Sequence, residues 1–388
     1  MRSALTACIV ILLAFVCTHT SAQTMKPVKT IAVFAPVYID SAFEGDNFKA
    51  GNSIPKNILP GLEFYNGMML AVDSLQAEGV NIKVLFYDSK SSMESLESIT
   101  KLPEFDSVSL IIASFNSRTE LKPLADYSAE KKIPLISSTF PNDGGITNNP
   151  YFILLNSTLK THCEELYKYV QRNYATGNLV MFRRKGATED MIQSVFAEMG
   201  KSTPYLPLKI KTVELTDSFT EREFLNGLDS TKKNIVICGT PNEAFGLRMI
   251  KTISTATNFL TVTIGMPTWD GLKELSNPEY KGLEIIYSTP YNFQRTDKAG
   301  AVLMQKYKNK FDGRPSDMVF KGYESMYHFT KLLLAYDTAL INHLSDKPYK
   351  VFNDFDIRPV KSRTDNRTID YMENRKLYFI KKSESGMN

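Results

Sequence analysis

Between Thr30 and Asp88 the chain reads as strand, helix, strand, and that order limits the folds open to it. Ile31, Val33 and Ala35 form a short apolar run that Pro36 ends. After a polar loop, Leu62, Tyr65, Met68, Met69, Val72 and Leu75 recur at three- and four-residue steps, which puts them on one helical face. Gly79 stands where a helix terminates in a left-handed residue. Ile82, Val84 and Phe86 then alternate with Asn81, Lys83 and Leu85, and Asp88 closes the strand. Strands joined through a helix run parallel, because the crossover is too long for a hairpin. Parallel sheets are covered on both faces, so the pattern predicts a doubly wound α/β lobe. The loop from Val37 to Pro60 is longer than most strand-to-helix connections, and it is expected to form a flap over the mouth of a cleft.

The βα rhythm continues. Apolar strands are expected at Val108 to Ala113 and Ile133 to Ser137, with helices at Met93 to Leu102 and Ser117 to Lys132. A second series follows, with strands at Gly177 to Phe182, Lys209 to Val213, Asn234 to Cys238 and Leu260 to Gly265, each followed by a helical segment or a loop. A run at Gly282 to Ser288, a helix from Lys298 to Phe311 and a long amphipathic helix are then expected to return to the first lobe and complete its sheet. The fold class is therefore α/β, with two doubly wound parallel-sheet lobes joined by a multi-strand hinge. The expected divisions are a leader at 1–22, the first lobe at 23–150, the second at 151–281, a return segment at 282–342 and a β-rich tail at 343–388 that serves the hinge and second lobe. Such a design leaves a cleft into which strand C-termini and helix N-termini point.

The leader reading rests on Arg2, the apolar run Ala4 to Cys17, and the small residues before Gln23, with cleavage after Ala22. The run is short of the ~20 residues a membrane span needs, so the chain is expected in the periplasm and not as an integral membrane protein. A lipid-anchored cysteine at Cys17 would want a small residue before it, and Val16 stands there. Cys163 and Cys238 are the cysteines of the mature chain and read as two buried thiols, with a single disulfide as the other reading. A net charge of +4 over 388 residues, without a basic stripe, gives no reason to expect a nucleic-acid partner.

Enzyme signatures are missing. The sequence holds no GxSxG, HExxH, GxxxxGK or GxGxxG. His162 and His328 sit in expected helices outside any metal-ligand spacing. No catalytic residue, metal or cofactor is expected.

In order and spacing, TIAVFAPV, GLEFYNGMMLAVDSLQAEG, VLFYDS, LIIASFNS, IPLISS, NIVICGTPNEAF, VTIGMPTWDG and RPSDMVFKGYESMYHFTKLLLAYD resemble the type 1 periplasmic binding proteins. The branched-chain amino-acid-binding proteins of ABC transporters are the kin most like it, over roughly residues 29 to 340. The FYNGMMLAVDSL helix and the TWD loop also resemble a Bacteroidetes envelope subgroup in which this module often follows LysM repeats, and no such repeat is present here. The resemblance implies a solute-binding protein that closes on a small polar ligand, such as an amino acid, and presents the closed form to an ABC permease or a sensor. A monomer or weak dimer is expected. An envelope-associated module that contacts protein or peptidoglycan, and a periplasmic hydrolase using cleft carboxylates, stay open as other readings.

Carried over residue by residue, the resemblance places the ligand's polar head on Asn116, Ser117 and Arg118 after the third strand and on Ser137, Ser138 and Thr139 after the fourth. Ser117 opens a helix, where unpaired N–H groups favour a carboxylate, and the same residue could serve as a plain helix cap. From the second lobe it implies Arg183 and Arg184, then Thr240, Pro241, Asn242 and Glu243, then Met266, Thr268, Trp269 and Asp270. Trp269, the sole tryptophan, could stack on a ligand or pack in the core; Asp270 or Glu243 could meet an ammonium. Tyr38, Asp88, Tyr291 and Phe293 also follow strands and are candidates for the cleft wall. Two departures from the family pattern stand out: Ser114-Phe115 replaces the usual Gly-Pro after the third strand, and Ser137-Ser138 replaces Ser-Pro after the fourth.

Overall fold

A computed structural model describes residues 28–49, 51, 53–383 and 386–387; the expected leader and Cys17 lie outside them. The first lobe opens with β1 (Lys29–Ala35), α1 (Ile39–Ala42), the hairpin β2 (Phe43–Glu44) and β3 (Asn47–Phe48), α2 (Leu59–Ala77) and β4 (Ile82–Asp88). It continues through α3 (Leu96–Ile99), β5 (Val108–Ala113), α4 (Arg118–Lys131), β6 (Leu135–Ser137) and β7 (Phe152–Leu154). The second lobe is built from α5 (Leu159–Tyr174), β8 (Asn178–Arg183), α6 (Ala187–Ser202), β9 (Ile210–Glu214) and α7 (Glu221–Leu225). To these it adds β10 (Asn234–Cys238), α8 (Glu243–Thr255), β11 (Thr261–Ile264) and β12 (Glu284–Thr289). The chain then returns to the first lobe as α9 (Lys298–Phe311), α10 (Asp317–Tyr336), β13 (Ile357–Lys361) and β14 (Ile369–Asn374), and ends in the second as β15 (Tyr378–Ser383) and β16 (Gly386–Met387).

Each lobe holds one seven-stranded sheet, ordered β13-β14-β7-β6-β5-β1-β4 and β16-β15-β12-β11-β10-β8-β9. The strands from β14 to β4 and from β12 to β9 are parallel; β13, β15 and β16 join antiparallel. In both sheets the chain lays its second strand on one side of the first and its third on the other. The resulting switch points lie between β1 and β5 and between β8 and β10.

Three expectations are corrected here. Gly282 to Ser288 does not complete the first sheet: β12 pairs parallel with β11 in the second. The segment before it stays on the second lobe, burying Trp269, Leu272, Leu275 and Tyr280 in that core, so the next strand lands beside β11. Phe152–Leu154, expected in the second lobe, pairs with β6 and belongs to the first. The tail divides, with β13 and β14 extending the first sheet and β15 and β16 the second. In addition, the expected helix at Met93 to Leu102 shrinks to one turn, Leu96–Ile99, capped by the Ser95 hydroxyl.

The lobes are linked by three crossings, Leu155 to Thr158, Pro290 to Phe293 and Arg375 to Leu377, and these are bonded to one another and to their neighbours. The Ser157 hydroxyl donates to the Asn374 carbonyl at 2.6 Å, and the Asn374 side chain donates to the Leu155 carbonyl at 3.2 Å. Glu373, buried in β14, accepts from the Thr158 amide at 2.8 Å. The Asn292 amide donates to the Asn353 side chain at 2.8 Å. Asn353 in turn is held by Glu324 of α10, whose carboxylate accepts from the Phe352 and Asn353 amides at 2.8 and 2.6 Å and from the Asn353 side-chain nitrogen at 2.7 Å. Three donors favour ionised Glu324, but complete burial outweighs them and pushes its pKa up to about 7.

The return helix α10 packs against α2 by direct backbone approach. Gly67 of α2 lies on the Val319 carbonyl, and Gly322 of α10 lies on the Phe64 carbonyl, so a Cβ on either would collide with the facing main chain. Around this contact Phe64, Met68, Met326 and Phe329 fill the core beneath β1 and β5. The second sheet is covered by α5 and α6 on one face and by α8 and the Trp269 segment on the other. Cys163 and Cys238 are buried free thiols, one in each of these two layers, and burial pushes both up to about 12.

Gly322→Ala is expected to cost about 3 kcal/mol of unfolding free energy, read from urea melts, because main chain and not a side chain must move. Glu324 gives a pH signature. Its folded pKa lies above the ordinary 4.5, so its contribution is present in acid and is lost as the pH rises from about 4.5 through 7. The stability difference between wild type and Glu324→Gln should therefore shift against wild type by up to about 3 kcal/mol between pH 4.5 and 8; a difference that stays flat with pH would contradict this.

Candidate functional site

A cavity of about 530 Å³ opens between the lobes. The first lobe contributes Pro141 and Asn142, from the loop after β6, and Lys321 of α10. The second lobe contributes His162 of α5, Thr188 and Met191 of α6, and Pro241, Thr268 and Asp270 from the loops after β10 and β11. Asn156, Ser157, Pro290 and Tyr291 of two crossings complete the wall. Both lobes and two of the crossings thus meet in one space.

The wall is fixed by internal bonds. The Tyr291 hydroxyl donates to the Ser138 carbonyl at 2.6 Å, and its ring stacks on Phe293 with centroids 5.5 Å apart. The Asn156 side chain donates to the Thr139 carbonyl at 2.7 Å. Thr268 donates to the Pro241 carbonyl at 3.1 Å. Asp270 accepts from the Thr289 hydroxyl at 3.0 Å; burial of its carboxyl raises the pKa above the usual range, against the pull of that bond and of Lys321. His162 bonds Ser288 through Nδ1 at 2.8 Å, and its burial drives the pKa down to about 3, so the imidazole is neutral at physiological pH. Among the described residues no cluster of His, Cys, Asp or Glu could hold a metal ion.

Of the fifteen residues taken as the binding set from the sequence, the cavity wall includes Asp270 and Tyr291; the neighbouring Pro241 and Thr268 also line it. The others lie outside that wall. Asp88 accepts from the amides of Val37, Ile39 and Lys90, pinning the loop after β1. Tyr38, in the left-handed region, accepts from the Asn116 side chain at 3.0 Å. The Ser117 hydroxyl makes no cap bond with α4 and donates instead to Glu120 at 2.6 Å, because Glu120 is drawn inward by Lys90 and Ser89. Arg118 lines a separate surface hollow with Glu97 and Lys122. Ser137 is fully buried in β6, Ser138 bonds Ser325 of α10 at 2.9 Å, and Thr139 donates to the Phe115 carbonyl at 3.1 Å.

In the second lobe, Arg183 is held by Gln193 and Asp190, and Arg184 by Asp217 at 2.7 Å. Thr240 donates to the buried Glu189 at 2.6 Å; Asn242 caps α8 through the Phe245 amide at 2.9 Å; Glu243 is exposed in the first turn of α8. Trp269 is completely buried, with Gly246 and Gly265 leaving room for its ring. Met266 is likewise core, and Phe115 turns inward among the side chains around α4. The flap does not reach the cavity: Ile39, Phe43, Phe48, Ile54 and Ile58 fold over Leu62, Tyr65 and Phe86 and enclose a second, apolar pocket of about 440 Å³.

Lys321, His162, Asn142 and Asn156 were missed by the sequence reading. Lys321 had a legible signal: with Glu324, Ser325 and His328 it makes a polar stripe at helical spacing on a helix otherwise rich in buried apolar residues. Asn142 lies in the loop that follows β6, on the side of a parallel sheet where strand C-termini face a cleft.

No family model matches the sequence, and no curated protein is similar to it in sequence. Solved structures are similar in fold. One is a protein assigned to a branched-chain amino acid ABC transporter of Rhodospirillum rubrum, 13% identical, covering 93% of this chain and 99% of its own, with a TM-score of 0.65. Another is a branched-chain amino acid ABC transporter periplasmic ligand-binding protein of Burkholderia xenovorans, 13% identical over 92% and 90%, with a TM-score of 0.61. A third is an ABC transporter substrate-binding protein of Desulfitobacterium hafniense in complex with leucine, 13% identical over 93% and 99%, with a TM-score of 0.56. The chain thus has the fold of the type 1 periplasmic binding proteins, two parallel-sheet lobes with a cavity between them.

Proposed function

We propose that the protein is a non-catalytic solute-binding protein of the periplasm that captures a small polar solute between its lobes and signals occupancy by closing. The observation that carries this is the 530 Å³ cavity, whose wall draws on both lobes and on two of the crossings. A solute seated against one lobe gains contacts with the other as the hinge closes, and that difference in contacts stabilises the closed state. A membrane partner, an ABC permease or a sensor, would read the closed form. Among the described residues no helix is long and apolar enough to cross a membrane. The solutes named for the structural neighbours, leucine among them, make amino acids the first class to test.

One observation favours a second reading, an envelope-associated module that contacts protein or peptidoglycan. Ile39, Phe43, Phe48, Ile54 and Leu59 are all exposed within one short stretch, an apolar surface suited to a protein contact. The hydrolase reading needs two cleft carboxylates, and Asp270 alone lines the cavity among the described residues.

A thermal-shift screen of amino acids, amides, short peptides and muropeptides, paired with solution scattering, separates these readings. A cleft ligand at one hundred times its Kd should add about 2.7 kcal/mol of stability and reduce the radius of gyration. Thr268→Val should weaken that ligand about tenfold, because Thr268 lines the cavity and its hydroxyl holds the Pro241 loop of the wall, whereas Ser117→Ala should leave its affinity unchanged, because Ser117 lies outside that wall. Stabilisation without compaction would argue against closure, and capture of envelope proteins with no solute response would favour the second reading.

A further inference from the structure

Lys321 is the only cationic side chain among the described residues that line the interlobe cavity, and no carboxylate oxygen among those residues lies within 4.0 Å of it. Its ammonium stands 4.6 Å from the centroid of the Tyr291 ring, which the Ser138 carbonyl and Phe293 hold in place. The nearby acids are engaged elsewhere. Asp317 pairs with Arg295, and Asp270 accepts from Thr289. Burial lowers the Lys321 pKa, and the fields of Asp317 and Asp270 pull it back up. The other basic group in the wall, His162, is neutral and tied to Ser288. A partly desolvated ammonium on an aromatic floor, without a counter-ion, is an unbalanced arrangement that an anionic ligand would complete.

We infer that Lys321 is a specificity-determining residue of the cavity, and that the solute carries a single carboxylate seated on its ammonium beside the Tyr291 ring. The inference rests on the cleft reading above. A dianion such as a phosphate ester fits poorly. The wall offers one cation, with no guanidinium to grip several oxygens, and Asp270 stands close enough to oppose a second negative charge. A neutral or purely cationic solute would leave Lys321 uncompensated when the lobes close and water leaves.

Matched pairs that differ only in the carboxylate test this: leucine against leucinamide, glutamine against its α-amide, and benzoate against benzamide. Binding is read by calorimetry and compaction by scattering, on wild type, Lys321→Gln and Lys321→Arg. At least one acid is expected to bind and compact wild type while its amide does not. Lys321→Gln should lose 10- to 100-fold in affinity and Lys321→Arg much less. Without ligand, Lys321→Gln should melt at or above the wild-type temperature, since it removes a half-buried charge that has no counter-ion. Equal binding of an amide and its acid, unchanged acid affinity in Lys321→Gln, or a fall of several degrees in its unliganded melting temperature would overturn the assignment of Lys321. Compaction by the amide would do so while leaving the cleft reading intact. Failure of every solute tested here and in the broader screen to compact the protein would overturn both.

Discussion

The contact between α2 and α10 is the one on which the remainder of this structure depends. Each helix offers a glycine to the other's main chain, Gly67 to Val319 and Gly322 to Phe64, and only a bare backbone fits at that distance. The contact anchors a helix that reaches the first lobe after the chain has built the second. Once α10 is docked, its residues fall into place one turn apart. Lys321 enters the cavity, Glu324 grips the segment that ends in Asn353, and Ser325 meets Ser138 at the end of β6. Cavity wall, hinge bonding and sheet edge are thus set by a single packing event between segments about 250 residues apart in the chain.

Much of the fold was legible because it is written in local periods. The alternation at Ile82, Val84 and Phe86 and the helical stripe from Leu62 to Leu75 named their elements, and the repeating βα order gave parallel sheets and a cleft. What the periods could not say was to which sheet a strand belongs. A run such as EIIYST in β12 is buried on both faces and would suit either lobe; the long-range burial of Trp269 and Tyr280 before it decided the matter. Phe152–Leu154 and the divided tail pose the same problem, since a crossing strand carries no local mark of where it crosses.

The site was less legible than the fold, for a related reason. The rule that loops after strands line the cleft found Asp270, Tyr291, Thr268 and Pro241. It also swept in residues whose polar groups are consumed by neighbours that sequence does not show. Asp88 is saturated by three amides, Ser117 by Glu120, Arg183 by Gln193 and Asp190, and Thr240 by Glu189. Lys321 was passed over because a lysine in an amphipathic helix ordinarily faces water. Its stripe with Glu324, Ser325 and His328, whose side chains are almost wholly buried, is the mark of a helix with a polar task on its inner face.

The cavity and the flap pocket divide the molecule's chemistry between them. The first has a mixed wall that carries one ammonium and one carboxylate, and it spans both lobes and two of the crossings. The second is apolar, lies within one lobe, and sits on a loop base pinned by Asp88 and by Asp40, which accepts from the Ser92 amide. A crystal structure of the protein with a solute found to bind it in solution tests the central claim most directly. The account predicts a solute between the lobes, in contact with Lys321 on one side and with Thr268 or Asp270 on the other, and a closed hinge. A solute seated under the flap, with the interlobe cavity empty, would contradict it.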